Sequence, residues 1–348
     1  MNRPFRLLLL LGLAAACTPK SGSPKAGGDK DDVIVVENPD VTYEPIEGEG
    51  DAEAEGAFTL PDWAADVPQE GALVRLIEPG AEPLETLRFA PASGHTETMR
   101  MVMDMDMTMD VGGMTMPMMM PVMVMDMDIE VTEVDEAGDI HYNAAVSRFV
   151  VEDKEGAMEG LAAQLEAEMQ GMVGLRGDMV VSNTGEARSA GFTAPPDAPD
   201  TVKQQLQSIN QNANNMAVPL PEEPVGVGAR WEVLKRTSSN GMEVVERSEI
   251  HLASREGDAV TLESTVEQHL ANPDLQLPGM PPGAQVELVS FSSNGSTTSA
   301  MVLSNLAPDK ADGKVTLDMA MNVDAGAGMQ PMTMHLDLGL EMLHPEDE

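Results

Sequence analysis

The chain has a single cysteine, Cys17, among its 348 residues. A lone thiol closes no disulfide within the chain and supplies no thiolate cluster to a metal. Aromatic residues are only 3 % of the total, so a core must be built from aliphatic side chains and from the 29 methionines. Positive charge is scarce too. Twenty Lys and Arg stand against 59 Asp and Glu, for a net charge of -39. A field of that sign repels phosphate backbones and excludes nucleic acid as a partner, and its simplest effect is to keep the protein soluble. The motifs of common chemistry are missing as well. There is no P-loop, dinucleotide fingerprint or G-x-S-x-G elbow, and His141, His251, His269, His335 and His344 show no metal-ligand spacing. Carboxylates are plentiful, but no pair is singled out by its surroundings. Catalysis has no visible carrier, and the chain reads as non-enzymatic.

The one uncharged apolar run near the start, Leu7 to Ala16, follows Arg3 and Arg6 and ends in small residues. It is far shorter than the ~20 residues that span a bilayer, and its layout is that of a secretory signal. Leu13-Ala14-Ala15-Ala16-Cys17 resembles the lipobox of bacterial lipoproteins, although the place three before the cysteine holds Ala14 rather than leucine. That resemblance implies a signal peptide over 1–16 and a lipid anchor on Cys17. With Thr18 rather than aspartate next, it also implies the outer membrane of a Gram-negative-type bacterium, facing the periplasm or the outside.

Residues 17–56 are rich in Gly, Pro, Ser and acidic side chains. Such a stretch buries too little to offset its ordering entropy, which predicts a disordered tether. Residues 57–348 are expected to form one β-rich domain. Met99, Met101, Met103, Met105, Met107 and Met109 alternate with mostly polar residues, and Met123, Met125, Met127, Ile129 and Val131 repeat the pattern. A two-residue repeat puts every methionine on one face of a strand. The two strands are expected to form a hairpin with a long, irregular connection. Val315 to Val323 and Met332 to Met342 alternate in the same way, Met242–Ala253 and Ala259–Val266 flank a turn, and Gln285–Ser292 adds a further strand. Helical spacing appears over 154–173, through Met158, Leu161, Leu165, Met169 and Met172. It recurs from Asp200, through Val202, Leu206, Ile209, Ala213 and Met216. The predicted fold is α+β: a large, curved, half-barrel-like antiparallel sheet with two amphipathic helices on its apolar face.

Two sites suggest themselves. Met99, Met101, Met103, Met105, Met107, Met123, Met125 and Met127 would line a face able to take an apolar ligand or lipid, or simply pack as core. In the segment Met114–Pro121, the thioethers of Met114, Met116, Met118, Met119 and Met120 are soft ligands suited to Cu(I) in an exported protein. Asp104, Asp106, Asp110, Asp126 and Asp128 suit the solvated face of the same hairpin better than a calcium loop, because no EF-hand spacing is present.

The tether, the Met-alternating strands and the segment Pro221-Glu222-Glu223-Pro224-Val225-Gly226-Val227-Gly228-Ala229-Arg230-Trp231 together resemble a family of uncharacterised bacterial exported lipoproteins. No activity is established for that family, so it implies no catalytic residues. More distantly, a curved sheet closed by helices is similar to the LolA and LppX type of lipoprotein-carrier fold, whose hollow face holds acyl chains. These likenesses imply a lipid-anchored envelope protein whose partners are the membrane, an apolar ligand or another envelope protein.

Overall fold

A computed structural model describes residues 60–194, 206, 219–239, 242–272, 285–324 and 329–345. Residues 1–16, Cys17 and the tether to residue 56 lie outside the described residues, as does all of the second expected helix except Leu206. Among the described residues, no helix is long and apolar enough to cross a membrane.

The chain begins with a 3-10 turn, Asp62–Asp66, and the strands β1 (Ala72–Glu78), β2 (Thr96–Val111), β3 (Met114–Met119), β4 (Val122–Val134) and β5 (Ile140–Glu152). One helix follows, α1 (Leu161–Met169), extended by a 3-10 turn at Gln170–Met172. Then come β6 (Arg176–Val181), β7 (Ala187–Thr193), β8 (Arg230–Ser239), β9 (Met242–Glu256), β10 (Ala259–Leu270), β11 (Gln285–Val302), β12 (Lys310–Asp324) and β13 (Gln330–Leu343). All thirteen strands belong to one antiparallel sheet in the order β1-β8-β9-β10-β11-β12-β13-β2-β4-β5-β6-β7, with β3 also on β2. Among the described residues the sheet is not closed, since no ladder joins β7 to β1.

Two expectations need correction. The link between the first two Met-rich strands is not irregular. Val111 pairs with Met114 across the two-residue turn Gly112-Gly113, whose φ angles of 60° and 82° suit a tight hairpin turn. Met114–Met119 then runs back along β2 as β3. Proline was the misleading signal. Pro117 sits on the strand's outer edge, where a missing N–H costs no ladder bond, and Met120-Pro121 marks a bulge before β4 continues on the same side of β2. The register shows the extra residue, since Asp106 pairs with Met119 but Met103 pairs with Met123.

The second correction concerns the helices. The described residues hold one short helix rather than two amphipathic ones covering the sheet. Gly156 and Gly160, at φ 87° and 79°, delay the start of α1 to Leu161, and Gly174 at φ 89° turns the chain out after it. Leu206, in the second expected helix, is half-buried against the same core as α1.

At one end of the sheet the connecting segments pack tightly together. The Leu220 N–H donates to Thr184 O at 2.7 Å, Phe89 N–H to Asn183 O at 2.8 Å, and Ala90 N–H to Leu303 O at 2.8 Å. Thr184 lies in the β6–β7 turn and Leu220 leads into β8, so these bonds bring the two flanks of the sheet together. Leu87, Leu220, Val225 and Trp231, all at most 2 % exposed, form the core at this packed end. The Trp231 indole N–H donates to Pro219 O.

Candidate functional site

Strand alternation gives the sheet an inner and an outer face, and the register aligns the inner residues into rows that cross many strands. One row runs Phe291, Met319, Met334, Met109, Met116 from β11 to β3. The next runs Lys235, Glu246, Gln268, Ser293, Leu317, Leu336, Met107, Met118 from β8 to β3. Nearer the packed end lie Leu340, Met103, Met123 and Val151, and then Met342, Met101, Met125 and Phe149.

These rows divide into two environments. Met99, Met101, Met103, Met123 and Met125 are 9 % exposed or less and pack with Ala162, Leu165 and Met169 of α1, with Met127 and Met105 at the margin. This part of the expected ligand face is a filled core. The helix forms here because Leu161, Ala162, Leu165 and Met169 recur at helical spacing and bury one side. Toward the Gly112-Gly113 turn the surroundings change. The cluster of Met109, Val244, Leu270, Leu288, Leu317, Met319, Met321, Met334 and Leu336 comes entirely from strands of the sheet, and the residues packed against it, including Met105, Met107, Met118 and Met332, are also on strands. No helix or connecting segment contributes to it among the described residues.

The five methionines read as a Cu(I) set are not brought together. Met114, Met116 and Met118 share one side of β3, and Met119 faces the other way beside Gly156. Met120 lies past the turn of the chain into the bulge and is buried with the α1 core. Met114 and Met119 are 67 % and 43 % exposed.

Half of the second row is polar although it faces inward. Ser293 Oγ donates to Gln268 Oε1 at 2.9 Å, Gln268 Nε2 to Glu246 Oε2 at 2.8 Å, and Ser248 Oγ to Glu246 Oε1 at 3.2 Å. Lys235 Nζ stands 3.1 Å from Glu246 Oε1. The chain satisfies these groups internally, as buried polar groups require. Sequence reading missed this network, since inward polar residues break the alternation by which inner positions are recognised.

A second buried carboxylate ties the sheet to a loop. Glu97 Oε1 accepts the backbone N–H groups of Leu306 and Ala307 at 2.9 and 3.2 Å. Glu97 Oε2 and His95 Nε2, 3.9 Å apart, are buried without hydrogen-bond partners among the described residues. Burial, and secondarily the Glu97 charge, pushes the Tyr142 phenol above its ordinary range.

The outer face carries the charge. Asp126 is gripped by Arg100, whose Nε donates to Oδ1 at 2.7 Å and whose Nη2 donates to Oδ2 at 3.0 Å. Lys154 Nζ bridges Asp104 and Asp106 at 2.5 and 2.8 Å. His335 lies between Asp318, 2.7 Å from Nδ1, and Asp337, 3.1 Å from Nε2. Hydrogen bonding to Asp318 leads the causes that raise the His335 pKa. A shallow depression of about 350 Å³ is lined by Arg247, Glu249, Thr265, Val266, Glu267, Asn294 and Gly295, with both charge signs present. Among the described residues, no group of three or more His, Cys, Asp or Glu is arranged to hold a metal.

The sequence matches no protein-family model, and it matches no curated protein.

Proposed function

We propose that the protein is a lipid-anchored, non-enzymatic envelope protein that receives an apolar ligand or lipid against the inner face of a half-barrel-like sheet. One observation carries this reading: among the described residues, the apolar cluster around Met109, Leu317, Met319 and Leu336 is built by strands of the sheet, with Met105, Met107, Met118 and Met332 only half-buried at its surface. The ligand surface is therefore the part beyond α1, rather than the whole expected set from Met99 to Met127. Methionine suits such a surface because its flexible, polarizable side chain adapts to varied apolar shapes. The hydrogen bonds that join the flanks of the sheet at the packed end support a curved, one-ended container. The export signal and Cys17 anchor supply the setting.

A fluorescent acyl-chain probe tests the reading. The soluble domain is expected to bind it saturably, and Met107→Lys with Met118→Lys is expected to abolish binding while Met114→Lys leaves it intact. Absence of saturable binding by the unmutated domain, tested with several chain lengths, refutes the proposal.

A further inference from the structure

Sequence spacing draws attention to the Met114–Met120 segment, but the ladder between β12 and β13 places a more compact group of thioethers elsewhere. Met319 pairs with Met334 and Met321 with Met332. The two pairs are successive on one face, so the four Cα atoms mark a rectangle of about 5 by 7 Å. A point above its centre is about 4 Å from each corner in plane, within reach of a methionine side chain rising from the sheet. Met319, Met321 and Met334 are 4 %, 2 % and 3 % exposed, Met332 is half-buried, and all four belong to the same apolar cluster. Met109 pairs with Met334 from the next strand and is 4 % exposed, so a fifth thioether adjoins the group.

Packing alone does not require sulfur here. The next two rungs of the same ladder, Leu317 with Leu336 and Val315 with Leu338, fill equivalent inner positions with Leu and Val. Strand positions favour β-branched residues over an unbranched thioether chain. On this ladder sulfur is confined to two adjacent rungs, whereas the comparable pairs Met99 with Met127, Met101 with Met125 and Met103 with Met123 on β2 and β4 pack in the core that includes α1. Thioethers discriminate against harder, strongly hydrated ions. The net charge of -39 raises the local concentration of any cation.

We propose that Met319, Met321, Met332 and Met334 form a thioether site for a soft monovalent cation, Cu(I) or Ag(I), with Met332 as the point of entry. The proposal does not rest on the apolar-ligand reading, although Met319 and Met332 belong to the surface of both, and leucine substitution removes only the sulfur. Replacing all four methionines with Leu keeps volume and apolarity but removes every sulfur donor.

The test uses the soluble domain carrying ¹³C-methyl-labelled methionine and titrated with Ag(I), followed by anaerobic Cu(I) in competition with a colorimetric Cu(I) chelator. One ion per chain is expected, shifting the methyl resonances of Met319, Met321, Met332 and Met334 and leaving those of Met101 and Met125 in place. The M319L/M321L/M332L/M334L variant is expected to lose uptake while keeping the far-UV circular dichroism and cooperative melting of the unmutated protein. Failure of the unmutated domain to take up Ag(I) overturns the proposal. So do shifts confined to Met114 and Met119, or uptake unchanged in the variant. The labelled unmutated domain decides the matter even if the variant does not fold.

Discussion

Replacing Asp126 with Asn is expected to remove about 3 kcal/mol of stability, the lower end of the ~3–5 kcal/mol lost when one partner of a buried ion pair is deleted. Asp126 and Arg100 are 7 % and 8 % exposed, and two hydrogen bonds join them across the β2–β4 register. Arg148 on β5 adds a longer contact of 3.6 Å to the same carboxylate. The substitution removes the Asp126 negative charge but keeps one acceptor oxygen, so Arg100 keeps its burial and loses the charge of the partner that holds it by two hydrogen bonds. Urea unfolding of the purified protein measures the change, with Arg100→Leu, Asp126→Leu and the double variant completing a cycle. The double Leu variant should fall close to the unmutated protein, because well-packed apolar replacements avoid the desolvation that the pair must overcome. The pH dependence gives an independent check. Hydrogen bonding from Arg100, opposed by burial and reinforced by the Arg100 and Arg148 charges, holds the Asp126 carboxyl below its usual range. A depressed folded pKa means that this stabilisation is present above the unfolded value of about 4 and disappears as pH falls through the folded value. Asp126→Asn should flatten that acid limb. A loss under about 1 kcal/mol, typical of an exposed pair, would refute the reasoning.

His335 contributes stability that is fully present below about pH 6.5, its unfolded value, and is lost as pH rises through the raised folded value. Because the residue is half exposed, the effect should be small, and His335→Gln should slightly reduce the drop in melting temperature between pH 5.5 and 8.5. At Gly226 an added Cβ would lie 1.7 Å from Ala81 O, so Gly226→Ala should cost more than about 4 kcal/mol or prevent folding. At Gly94 a Cβ would meet nothing within 4 Å, leaving only the φ of 81° as an obstacle, so Gly94→Ala should cost about 1–2 kcal/mol in the same denaturation assay.

Much of the sheet was legible because its inner face is so uniform. The alternation from Met99 to Met109 gives β2, its counterpart from Met123 gives β4, and the two C-terminal series give β12 and β13. The turn at Arg255–Asp258 joins β9 and β10, and Trp231 lies on a strand entered from the Gly226–Gly228 turn. Shorter or mixed elements were not legible. β1 alternates weakly, β6 and β7 are brief and carry glycine within them, and β3 is hidden by Pro117. Helical spacing over 154–173 was real but overlong, since spacing does not register that Gly156 and Gly160 adopt left-handed backbone. The site was partly legible. Sequence identified the methionines as facing one way. It set a helix over 154–173 on the apolar face but not which methionines that helix would cover, and it gave no sign that strands far apart in the chain would set Met319, Met334 and Met109 side by side. Those neighbours are fixed by register between distant strands, which local periodicity does not encode.

Native mass spectrometry of the gently purified protein tests the central claim of the proposed function most directly. The account predicts a fraction carrying extra mass that matches a lipid or another apolar molecule, and this fraction should vanish in the variant with lysine at Met107 and Met118. A clean apo mass for the unmutated domain, together with no uptake of added lipid, would contradict it and leave the inner face as a packed core.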